Sequence, residues 1–161
     1  MKTTNSGLTN TIRSKLKNLK SDEELGNALE AIGLTYIGSG IARWVYGNSD
    51  YVVKINKYNT SQTECEVKAY DSIPEKAKYL YNPPIAFDPE YKWAIYRRAK
   101  VHTDEDNTDD LTYDQATEIA QQIKDKLKEL NLYHTVDGTN DVHEGNVGLI
   151  EGKPVIIDYG I

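Results

Sequence analysis

The order of short strands and capped helices in this sequence predicts an α+β fold with a mainly antiparallel sheet. Between residues 34 and 55, short apolar stretches alternate with turn-forming Gly, Ser, Asn and Asp, the mark of a strand meander. On either side of it, apolar residues recur at helical spacing behind Ser or Thr caps. A last pair of apolar runs around Glu151-Gly152-Lys153 closes the chain with a hairpin.

The elements follow in order. Leu8, Ile12, Leu16 and Leu19 predict a helix over 8–19. Ser21 followed by Glu24 is a capping-box pattern for a second helix, 22–32, which Gly33 closes. Strands are predicted over 34–37, 43–46 and 51–55, divided by Gly38-Ser39-Gly40 and by Gly47-Asn48-Ser49-Asp50. Ser61 with Glu64 opens a helix over 62–73, which Pro74 ends. Two further strands are predicted near 85–88 and 91–96, and residues 103–110 read as an acidic, solvated loop. The clearest helix is capped by Thr112 and Gln115, with Tyr113, Ala116, Ala120, Ile123, Leu127 and Leu130 along one face. Residues 147–150 and 155–158 form the final hairpin.

Composition narrows the class. A length of 161 residues suits one domain, since domains hold about 100–200 residues. Hydrophobic residues at 39% and charged residues at 27% exclude a disordered tail, a collagen-like repeat and a coiled coil. No apolar run is long enough to span a bilayer, so no membrane partner is expected. Residues 1–7 lack the apolar stretch of a secretory signal. Cys65 is the single cysteine, which excludes disulfides within the chain and multi-cysteine metal sites. The expected address is therefore a reducing cytoplasm. A net charge of −6 argues against nucleic acid as the main partner. Residues 1–20 run the other way: Lys2, Arg13, Lys15, Lys17 and Lys20 stand there without an acid. They read as the solvated face of a helix, with contact to nucleic acid or an acidic partner as the weaker reading. The 12 Tyr against 1 Phe fit a core with wet margins.

The residues with most chemical promise lie near the C-terminus. Asp141-Val142-His143-Glu144-Gly145-Asn146 leads into the last hairpin, and Asp158-Tyr159-Gly160 leaves it. A hairpin centred on Gly152 pairs Asn146 with Asp158 and places two oxygen ligands side by side, with Asp141 just before them. Such oxygen donors suit Mg²⁺, which takes one or two carboxylates together with substrate phosphates. Either carboxylate alone reads as an ordinary turn residue.

Asp-x-x-x-x-Asn followed by Asp-Tyr-Gly after a short hairpin resembles the protein-kinase-like superfamily. The form Asp141-x-His143-x-x-Asn146 is closer to small-molecule kinases and atypical bacterial or phage kinases than to the eukaryotic type, and Thr139-Asn140 before it departs from both. The N-terminal half carries further elements in the matching order. Gly38-Ser39-Gly40-Ile41-Ala42-Arg43-Trp44-Val45 resembles the Gly-rich loop, with Arg43 in place of the third glycine. A plain hairpin turn uses the same residues. Tyr51-Val52-Val53-Lys54-Ile55 resembles the strand whose lysine grips the α- and β-phosphates, although Lys54 also reads as an outward-facing lysine. Its expected partner is Glu66, which shares a helix face with Tyr70 and Ile73; Glu64, suited to the capping box, is the runner-up. The segment 93–99, with Arg97 and Ala99, resembles the strand-to-hinge stretch whose backbone binds adenine.

The resemblance implies a basic helical extension over 1–33 and an N-lobe of antiparallel sheet and helix over 34–100. A truncated helical C-lobe over 101–161 follows, with no activation segment after Gly160. It implies an ATP- and Mg²⁺-dependent phosphotransferase acting on a hydroxyl of a protein or small molecule. In that assignment Gly38, Ser39, Gly40, Lys54, Glu66, Arg97 and Ala99 bind ATP, Asn146 and Asp158 hold Mg²⁺, and Asp141 is catalytic. His143 orders the loop, His102 and His134 are incidental, and Cys65 is a packed small residue. The alternative is a catalytically weak kinase-like (pseudokinase) binding or inhibitory module acting through a partner protein that completes the C-lobe. A nucleic-acid-associated protein using its basic N-terminal arm is the third and weakest reading.

Overall fold

Helices α1 (Asn5–Leu16) and α2 (Asp22–Glu30) precede three strands, β1 (Thr35–Ser39), β2 (Arg43–Gly47) and β3 (Tyr51–Asn56), in the computed structural model. Helix α3 (Gln62–Ser72) and a 3-10 helix (Glu75–Leu80) come next, then β4 (Ala86–Phe87), β5 (Trp93–Arg97) and β6 (Lys100–Val101). Helix α4 (Tyr113–Glu129) and the hairpin β7 (Val147–Ile150) and β8 (Lys153–Ile156) complete the order. The structure describes residues 5–17, 21–58, 60–103, 110–133 and 141–159. Leu19, His134, Thr139, Asn140, Gly160 and most of the acidic stretch 103–110 lie outside the described residues. The mixed α+β class with antiparallel sheets is as expected. Among the described residues no helix is long and apolar enough to cross a membrane.

The chain divides into two compact units, Met1–Thr63 with Pro84–Arg98 and Glu64–Pro83 with Ala99–Ile161. The first is built on a five-stranded sheet in the order β1-β2-β3-β5-β4. Its registers set two faces, because successive side chains alternate. Trp44, Ile55 and Trp93 face one another across the strands, as do Tyr46, Val53 and Ile95. These rows pack with Ile12, Leu25, Leu29 and Leu34 into the core of this unit. The intervening row, Val45, Lys54 and Ala94, belongs to the opposite face. The α2 helix starts as expected, with the Ser21 hydroxyl accepting from the Glu24 amide at 3.2 Å. It ends in Gly33, whose φ of +86° places it in the left-handed region.

In the second unit, α4 carries the capping box read from the sequence. The Gln115 amide donates to Thr112 Oγ1 at 3.2 Å, and the Thr112 amide to Gln115 Oε1 at 2.9 Å. Ala116, Ile119, Ala120, Ile123 and Leu127 are its buried residues. They pack with Ile73, Leu80, Tyr81, Val142, Val147, Ile156 and Tyr159. Tyr113 corrects the expected face: it is exposed, and its ring meets His102 edge-on at 5.8 Å. The 3-10 helix is an addition to the expected elements. Pro74 ends α3 and also caps the next turn, which buries Ala77 and Leu80.

Tyr81 is buried in this core, and its hydroxyl has no hydrogen-bond partner among the described residues. Burial pushes the phenol up to about 12. Removing an unpaired buried hydroxyl costs nothing in contacts, so Tyr81→Phe should be neutral or stabilising by about 1 kcal/mol at pH 7. An unfolded tyrosine titrates near pH 10, below the folded group. The stability tied to this proton is therefore full below about pH 10 and falls as pH rises toward about 12. Urea unfolding at pH 7 and pH 11 should show a larger gain for Tyr81→Phe at the higher pH. A clear loss at pH 7 would contradict this reading of the hydroxyl.

Candidate functional site

The loop that enters the last hairpin is closed by its own side chains. Asn146 Nδ2 donates to the Asp141 carbonyl oxygen at 3.1 Å and to Asp141 Oδ2 at 2.8 Å. The amide nitrogen is thereby committed to Asp141, and Oδ1 is left as the side-chain atom of Asn146 with lone pairs to offer a cation. The Asn146 amide donates to the His143 carbonyl at 3.0 Å, completing the turn. His143 Nδ1 accepts from the Gly145 amide at 3.0 Å. The proton of the neutral ring then sits on Nε2, 3.4 Å from Asp141 Oδ1. Asp141 is thus held through both carboxylate oxygens while its side chain stays 42% exposed. Gly145 permits this: a Cβ there would come within 2.9 Å of the His143 ring. His143 orders the loop, as the sequence suggested.

The register of the hairpin differs from the expected one. Val147 faces Ile156 and Ile150 faces Lys153, so the turn consists of Glu151 and Gly152 alone. Both are left-handed, with φ of +51° and +76°, as a mirror-image two-residue hairpin turn requires. Asn146 accordingly meets Ile157, whose amide donates to the Asn146 carbonyl at 2.9 Å. Asp158 does not pair with Asn146 as expected; it is the next residue beyond the ladder. Tyr159 fixes where that residue leaves the hairpin. It is fully buried, its hydroxyl donates to the Asn82 carbonyl at 2.6 Å, and its ring stands edge-on to Tyr81 at 5.2 Å. Nothing in the sequence reading singled out Tyr159 as an anchor.

The other expected residues are distributed over both units. Gly38 and Ser39 lie within β1 opposite Val45 and Trp44, so the strand runs further than predicted. A bulge at Ile37 accommodates the extra length. The turn is therefore Ile41-Ala42, with the Gly40 amide donating to the Arg43 carbonyl at 3.0 Å. Arg43 is buried. Lys54 is half-buried in β3, with its ammonium 4.8 Å from the centre of the Tyr96 ring. Glu66 on α3 is fully buried, whereas Glu64 is half-exposed and pairs with Lys68 one turn on. Of the two glutamates, Glu66 is the one directed into the protein. Arg97 ends β5 with an exposed side chain, and Ala99 precedes β6. Cys65 is exposed, which corrects its reading as a packed residue.

Among the described residues no group of three or more His, Cys, Asp or Glu is arranged to hold a metal. A pair of oxygen donors completed by substrate phosphates and water is a different kind of site, and Mg²⁺ uses it. Asn146 Oδ1 and the Asp158 carboxylate are of that chemistry.

No protein-family model and no curated protein matches the chain. Among solved structures it is similar to the ternary complex of streptomycin, ATP and APH(2″)-IIa. The identity is 19% and the TM-score 0.40, over 84% of this chain and 42% of that one. The chain thus spans less than half of that protein's length.

Proposed function

We propose that the chain is an ATP- and Mg²⁺-dependent phosphotransferase that moves the γ-phosphate to a hydroxyl of a protein or small molecule. The observation that supports this best is the closed Asp141–Asn146 loop. One side chain turns a carboxylate and an amide oxygen into two distinct tools, since Asn146 commits its amide nitrogen to Asp141 and keeps Oδ1 for a cation. In the proposed reaction Asp141 takes the proton of the acceptor hydroxyl while that hydroxyl's oxygen bonds to the γ-phosphorus. The bond to the β–γ bridging oxygen breaks, and ADP leaves with the electron pair. Lys54 is assigned to the α- and β-phosphates, and Glu66 is the carboxylate that the kinase-like resemblance pairs with it. Gly38, Ser39 and Gly40 are assigned to the phosphate cover, and backbone groups at Arg97 and Ala99 to adenine. Magnesium held by Asn146 Oδ1 and Asp158 would neutralise charge on the phosphates. Such transfer needs positioning and charge compensation rather than covalent help from the protein.

Incubation with γ-labelled ATP, Mg²⁺ and a panel of hydroxyl-bearing small molecules and proteins tests this. Labelled product is expected from the wild type and not from Asp141→Ala. Absence of label on every acceptor, water included, would contradict a phosphotransferase.

A further inference from the structure

The Gly40–Arg43 turn is held from outside in a way the kinase-like motif does not ask for. Lys57 Nζ donates to the Gly40 carbonyl at 2.6 Å, and the same ammonium lies 5.7 Å from the centre of the Trp44 ring. The Lys57 amide donates to the Ala42 carbonyl at 2.8 Å, and Thr60 Oγ1 donates to that same oxygen at 3.0 Å. The Thr60 segment is fixed in turn, because Asn56 Nδ2 donates to the Thr60 carbonyl and to the Tyr91 carbonyl, both at 2.9 Å. Two carbonyls of the turn are thus covered by donors. The backbone amides of Ile41 and Ala42 make no hydrogen bond among the described residues, and the Ile41 side chain is fully exposed. A turn that covers its acceptors and leaves its donors open is biased toward an anion.

We infer that Lys57 and Thr60 are positioning residues that hold the glycine turn in an anion-accepting state before any ligand arrives. The turn is then a fixed phosphate cover rather than a mobile flap. Its phosphate half rests on the phosphotransferase reading above; its mechanical half does not. Lys57 acts through the backbone of the turn, and its charge is already committed to Gly40 and Trp44.

The test uses the whole protein and three variants, Lys57→Met, Lys57→Arg and Thr60→Val. Amide exchange without nucleotide reads the Gly40 N–H, which bonds to Arg43 across the turn. Loss of a charge-assisted bond corresponds to about tenfold, so Lys57→Met should exchange about tenfold faster at Gly40. Lys57→Arg should restore wild-type exchange and Thr60→Val should fall between. Titration then compares ATP with adenosine. Lys57→Met should weaken ATP about tenfold and leave adenosine unchanged. Exchange at Gly40 within twofold of wild type in Lys57→Met overturns the inference. So does an equal loss of ATP and adenosine, which would mark a general structural defect. If wild-type protein binds no ATP, the phosphotransferase reading and the phosphate half fall together, while faster exchange at Gly40 would still uphold the clamp.

Discussion

Asp141→Ala is expected to slow phosphoryl transfer about a thousandfold, the range removed with a general base, while MgATP affinity changes less than about threefold. The asymmetry follows from the loop. Asn146 loses its 2.8 Å bond to the carboxylate but keeps the 3.1 Å bond to the Asp141 carbonyl, and its own amide keeps the His143 carbonyl. The turn therefore stays closed, and Asn146 Oδ1 remains available to a cation. Asp141→Asn sharpens the test, because it preserves the size of the side chain while removing its charge and its ability to take a proton. Single-turnover transfer and calorimetry on both variants separate the two roles. Equal loss of binding and transfer would make Asp141 a structural residue, and full activity would remove it from the reaction.

The second large effect is expected at Tyr159. Truncating a buried aromatic side chain costs about 3–5 kcal/mol, and Tyr159 is fully buried against Tyr81 with a hydrogen bond to the Asn82 carbonyl. Tyr159→Ala should lower stability by about that amount. Tyr159→Phe keeps the ring and loses one bond, so about 1 kcal/mol is expected. Urea unfolding followed by tryptophan fluorescence and circular dichroism measures both. The functional consequence is separable from the stability loss: in Tyr159→Phe, Asp158 should still leave the hairpin at the same point and MgATP binding should persist. A Tyr159→Ala variant as stable as wild type would show that this ring does not hold the end of the hairpin.

Parts of this were legible in the sequence and parts were not, for identifiable reasons. The 3.6-residue period of α3 put Glu66 with Tyr70 and Ile73, and Glu66 is buried. Glu64 sits two residues earlier and is drawn to Lys68 at i+4. Thr112 and Gln115 announced the start of α4 because their side chains satisfy backbone donors that any helix exposes. The hairpin register departs from the expected one because Gly152 alone looks able to turn the chain. Glu151 also adopts positive φ, which is rare for such a residue, and this moves the pairing by one position. The bulge at Ile37 left no trace in composition, and it carried Gly38 and Ser39 from the turn into the strand. Tyr113 has an apolar ring at the right spacing, yet it lies in the first helical turn and is exposed there. Lys57 could not be found from sequence, since its partner is a backbone carbonyl seventeen residues away.

Asn146 and Asp158 are proposed to form a magnesium-dependent nucleotide site. Calorimetric titration with ATP, with and without Mg²⁺, on wild type and Asp158→Asn tests this. Binding is expected to require Mg²⁺ in the wild type and to be lost in Asp158→Asn, with the unfolding midpoint of the variant unchanged. Metal-independent binding that survives in Asp158→Asn, or no binding to the wild type at millimolar ATP, would contradict it.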